Sequence, residues 1–99
     1  MSMNLAQVEA SAKRLFPDLR VEQVLAELLL ERAQKNFFKY QTTARQFEAK
    51  YKQDFDAFRA RVLSSRPAPE VEQDYFDWEL AVTGVADMAE EIQRLKSLG

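Results

Sequence analysis

An all-α protein, a helical bundle around one long central helix, is what these 99 residues predict. Three observations carry that reading. Apolar residues recur at spacings of 3 and 4 along most of the chain, which is the period of a helix face. Two glycines and three prolines are too few to punctuate an all-β chain with turns. Between Pro17 and Tyr51 neither residue occurs, so nothing there breaks a helix. The length suits a single domain over residues 1–99.

The first helix is expected over about 5–16. Leu5, Val8, Ala12 and Leu15 form its apolar stripe. Asn4 suits the N-cap, with Gln7 three residues on to complete a capping box. Pro17 drives Phe16 out of helical angles and ends the helix.

The second helix is expected over about 18–52, opening at Pro17-Asp18, where the missing proline N–H costs nothing. Ala26, Leu30, Ala33, Phe37, Tyr40, Ala44, Phe47 and Tyr51 follow at alternating spacings of 4 and 3, a sustained heptad. Thr42-Thr43 is its weak point, since β-branched residues lower helix propensity, but the stripe stays in phase across it. At about 1.5 Å per residue such a helix runs roughly 50 Å, far beyond the ~13 Å radius of gyration of a compact chain this size. A stripe that outruns one chain's core calls for a second chain. The reading is therefore a homodimer or higher oligomer, with Leu30, Phe37, Tyr40, Phe47 and Tyr51 at its interface.

Asp54 can cap a short third helix over about 54–63, with Phe55, Phe58 and Val62 facing inward. Ser64 to Pro69 is the one clear linker, stiffened by two prolines. The fourth helix, about 70–97, places Glu70, Glu72 and Asp74 near its N-terminus and Arg94 and Lys96 near its C-terminus, as the helix dipole favours. Its stripe reads Val71, Tyr75, Trp78, Val82, Val85, Ala89, Ile92. Gly84 lies inside this helix, and close approach of a neighbouring helix accounts for it better than a hinge does.

Net charge is only −2, yet it is unevenly spread. From Arg32 to Arg66 nine basic residues face three acids, a net of +6, and from Pro67 onward eight acids face two bases, a net of −6. The two halves are expected to meet, with the acidic helix running back along the basic one. Cysteine and histidine are absent, which removes disulfides, thiolate zinc sites, cysteine nucleophiles and imidazole chemistry. The Asp74/Asp77 and Glu90-Glu91 carboxylates lack the histidine that helical-bundle metal sites combine with Glu, and no glycine-rich phosphate loop occurs. The reading is a non-enzyme with no cofactor. Neither a secretory leader nor a membrane-length apolar run is present, which fits a cytoplasmic, soluble protein.

Tyr75-Phe76-Asp77-Trp78 is the densest aromatic cluster. Tyr75 and Trp78 share a face and serve either as core anchors or as a binding hot spot, whereas Phe76 points elsewhere. Lys35-Asn36-Phe37-Phe38-Lys39-Tyr40 interleaves cations and aromatics as single-strand binders do, but those aromatics fall on the heptad stripe.

The run Phe47-Glu48-Ala49-Lys50-Tyr51-Lys52-Gln53-Asp54-Phe55-Asp56-Ala57-Phe58, followed by Val71-Glu72-Gln73-Asp74-Tyr75-Phe76-Asp77-Trp78-Glu79, resembles a pattern in small helical antitoxin-type partner proteins of bacteria and archaea. The resemblance spans about half of the chain. Lys52-Gln53 stands where that pattern often carries a helix-ending glycine. It implies a protein that binds a protein partner, such as a toxin, and carries no catalytic residue with it. A basic ribonuclease-type cleft would be met by the acidic helix, with Glu72, Tyr75, Phe76, Trp78, Glu79, Asp87 and Glu90 as the expected contacts. The alternatives are a nucleic-acid binder using the basic segment 32–66 and a structural subunit of a larger assembly.

Overall fold

The computed structural model describes residues 4–98 and contains four helices: α1 (Leu5–Leu15), α2 (Val21–Tyr51), α3 (Phe55–Leu63) and α4 (Pro69–Ser97). The fold is all-α, as the periodicity predicts. Asn4 caps α1 by accepting the Gln7 N–H at 2.9 Å, and the Gln7 side chain returns to the Asn4 N–H. Asp54 caps α3 by accepting the Ala57 N–H at 2.8 Å.

Helix α2 begins three residues later than Pro17-Asp18 suggests. The Leu19 N–H closes a turn onto the Phe16 carbonyl at 3.2 Å, and the Gln23 side chain captures the Arg20 N–H at 2.8 Å. From Val21 the helix is continuous through Thr42-Thr43, where the Thr43 hydroxyl donates within the helix to the Lys39 carbonyl at 3.1 Å. It ends at Lys52, which holds the left-handed conformation (φ 54°, ψ 40°). Helix α4 starts at Pro69 in its first turn, with Ala68 extended before it.

Helices α2 and α4 form an antiparallel hairpin of nearly equal arms, 31 and 29 residues. Lys50 on α2 bonds Asp74 near the start of α4, while Leu30 faces the same groove as Leu95 and Leu98 at the other end. This match of lengths corrects the premise behind the expected dimer seam. α4 runs along the α2 stripe within one chain, and Leu30, Phe37, Tyr40, Phe47 and Tyr51 are half-buried on that side.

The seam on α4 also differs in phase from the expected stripe. Val71, Tyr75, Trp78, Val85 and Ile92 are buried or half-buried as the stripe predicts, but the other inward positions are Ala81, Met88 and Leu95 rather than Val82 and Ala89, which are exposed. Small residues allow the close approach: the ring of Tyr40 fills the space over Gly84, and a Cβ there would lie 2.5 Å from it.

The core sits at the closed end, where Trp78 and Phe58 are fully buried with Tyr75 and Val62, and Phe47, Tyr51, Phe55 and Val71 pack around them. Trp78 is ringed by Phe47, Tyr51, Phe55 and Phe58 at centroid distances of 5.0 to 6.1 Å. At the open end the hairpin splays around a groove of about 800 Å³ with Ala26, Leu30 and Leu95 among its lining residues. Helix α1 folds back on the first turns of α2, where Ala12 and Val24 are buried, and leaves Leu5 and Leu15 exposed.

The chain is thin, with extents of 57 × 33 × 18 Å and a radius of gyration of 19.5 Å. Its accessible surface is 7814 Å², against roughly 5,800 Å² for a compact monomer of 11.5 kDa.

Candidate interaction surface

The side of α4 turned away from α2 carries Glu72, Phe76, Glu79, Asp87 and Glu90, all exposed. Their positions recur at helical spacing over 18 residues, a strip roughly 27 Å long. Charged side chains of this kind are excluded from a dry interface, so the apolar seam opposite them fixes where they point. Glu79 is held in place by the Tyr75 hydroxyl, which donates to it at 3.0 Å. Phe76 stands in the middle of the strip at 52% exposed, with its ring edge on Tyr75.

Two residues expected on this surface are not on it. Trp78 is 0% exposed and Tyr75 is 8% exposed, so both are core anchors and only the Tyr75 hydroxyl reaches the strip. They stand on the seam side, where α3 and the end of α2 close over them. The Trp78 indole N–H finds no acceptor among the described residues.

The charged halves run side by side but scarcely pair. Among the described residues one ion pair joins them, Lys50 with Asp74. Asp74 also accepts the Tyr51 hydroxyl, and these two donors hold its carboxyl below the usual carboxylate range. The same hydrogen bond raises Lys50, whereas burial, then the bond to Asp74, pushes Tyr51 up. Elsewhere α2 bears no acid from Arg32 through Phe47, and Arg32, Lys35 and Lys39 project away from the seam. The expected mutual neutralisation therefore does not occur: α4 keeps a free acidic edge and α2 a free basic one.

This basic side lacks what a stacking platform needs. Phe37 and Tyr40 are half-buried toward α4, leaving Phe38 as the exposed aromatic of that run. Among the described residues no group of three or more metal-ligating side chains converges, and no helix is long and apolar enough to cross a membrane. The acidity of the strip and the outward Phe76 were legible from sequence; whether Tyr75 and Trp78 were core or contact was not, because a core anchor and a hot spot share one spacing. No family model matches this chain, and no curated protein or solved structure matches it at a significant level.

Proposed function

We propose that the protein is a non-enzymatic interaction module that binds a basic protein surface through the outer strip of α4. One observation carries the reading: a row of acids, Glu72, Glu79, Asp87 and Glu90, none of them in a salt bridge among the described residues, with Phe76 exposed among them on one helix. A ridge of that kind fits a basic cleft. Its charge steers encounter and the aromatic supplies the buried contact. The resemblance to antitoxin-type proteins names a nuclease-like toxin, whose cleft is basic because its substrate is polyanionic, as the partner class.

The test is capture of a partner from the native host with the intact protein and with two variants, Phe76→Ala and the fourfold reversal of Glu72, Glu79, Asp87 and Glu90 to lysine. A basic protein retained by the native chain and lost by both variants, at unchanged helicity by circular dichroism, supports the proposal. Retention by the reversed variant overturns it. So does tight oligonucleotide binding by the native chain that weakens steeply with salt, which would assign function to the basic edge.

A further inference from the structure

The hairpin has two broad faces. On one, Gln41, Ala44 and Arg45 of α2 border Val82 and Val85 of α4. Tyr75 lies one heptad before Val82 on that side of α4, and α3 packs against it through Phe55 and Phe58. On the other face, Tyr40, Thr43 and Phe47 of α2 border Asp77, Leu80 and Ala81 of α4 around a shallow depression of about 290 Å³. Helical spacing extends this face along α2 to Leu25 and Leu29. Leu25, Leu29 and Leu80 are each at least half exposed.

We propose that two copies of this chain stack on each other across the Tyr40–Phe47–Leu80 face, with α2 of each copy over α4 of the other, to complete a four-helix bundle. Three observations identify a second copy as the occupant. The first is area. The chain exposes on the order of 2,000 Å² more than a compact monomer of its mass. An obligate homodimer interface removes about 1,000–2,500 Å² per chain, so one such contact removes most of the excess. The second is cover: α3 packs over the opposite face, whereas the depression on this one is lined by α2 and α4 residues alone and leaves Leu25, Leu29 and Leu80 exposed.

The third is charge, and it selects the symmetry. Each chain sets the acid-free stretch of α2 from Arg32 to Phe47, a net of +4, beside α4, a net of −6, although α2 as a whole is only +1. A two-fold axis along the helices lays α2 over the other copy's α4, opposite charge on opposite charge. An axis across the helices lays α2 on α2 and opposes Arg32, Lys35 and Lys39 to their own copies, which is unfavourable. The register is fixed by contacts within the chain. Lys50 lies level with Asp74 and Tyr40 with Gly84, so Arg32 lies level with Ile92, one residue from Glu91. An axis along the helices preserves height, bringing Arg32 of one copy near Glu91 of the other, whose carboxylate is 41% exposed beside Arg94. This isologous contact is centred on the broad face, reaches Phe76 and Asp87 at its rim because they share the Leu80 side of α4, and leaves Glu72, Glu79 and Glu90 free.

Light scattering on the intact chain at micromolar concentration should return twice the 11.5 kDa chain mass. Leu80→Glu should weaken association about a hundredfold or more, since each dimer carries the buried leucine twice, and return a helical monomer. Phe38→Glu, on α2 but off this face, should leave the dimer intact. The chain has no cysteine, so Arg32→Cys and Glu91→Cys chains can be mixed and oxidised; the mixture should form crosslinked dimers that neither chain forms alone. A monomer mass for the native chain overturns the proposal. A dimer that survives Leu80→Glu but falls to Phe38→Glu places the contact on the opposite face, and crosslinking of Arg32→Cys with itself places α2 on α2; either result overturns it.

Discussion

At position 84 a methyl group would land 2.5 Å from the ring of Tyr40, too close for any side chain to accept without moving the ring. Helix propensity alone favours alanine there by about 1 kcal/mol. The contact is to the ring itself, not to a flexible tip, so overpacking at about 1–3 kcal/mol should win. Gly84→Ala is expected to lower unfolding free energy in urea, and the same substitution made on a Tyr40→Ala background should instead raise it. That reversal is a double-mutant cycle with a sign change. Lys52 presents the opposite situation. It ends α2 at φ 54°, a region that costs an L-residue about 1–2 kcal/mol and glycine nothing. Lys52→Gly should therefore stabilise the protein by about 1 kcal/mol, read as a rise in denaturation midpoint at constant slope.

Between elements, the Asp74 carboxylate is the one ionic tie from α4 to α2 among the described residues, and it receives Lys50 and Tyr51 together. Its folded-state pKa lies below its unfolded one, so the stability it contributes is whole above about pH 4 and drains as pH falls through the lowered value. Tyr51 and Lys50 act in the reverse sense, because their folded-state pKa values are raised. Their contribution is whole below about pH 10 and is lost as pH climbs through the raised values. Asp74→Asn should cost about 1–2 kcal/mol at neutral pH and flatten both limbs of the stability profile. Urea titrations across pH on the native chain and this variant measure both effects. Equal acid limbs in the two proteins would show that other carboxylates govern acid unfolding.

Over the whole molecule, helix identity was legible because caps and period speak locally: the Asn4–Gln7 box and the Asp54 cap form as written. Continuity through Thr42-Thr43 was legible from phase alone. What covers a stripe is not local. The heptad on α2 says that something packs there, and only the near-equal length of α4 decides that the same chain supplies it. Likewise Ala81 and Val82 are equally plausible seam residues by hydropathy; a close backbone approach at Gly84, a property of the pair of helices, chose Ala81. The acidic strip was readable because ionised groups stay wet. Tyr75 and Trp78 were not, since burial depends on α3 and the end of α2 arriving over them.

The placement of the single tryptophan makes the closed end optically addressable. Trp78 is fully enclosed by aromatic rings from α2 and α3, whereas α1 and the splayed end contribute nothing to its surroundings. Its emission is thus a clean reporter of one half of a 57 Å rod. The amide circular dichroism signal weighs every turn equally, including the loosely held first helix. On heating, the dichroic signal should begin to decline before the fluorescence shifts, and the interval between the two curves measures how far the lightly packed end frays ahead of the aromatic one.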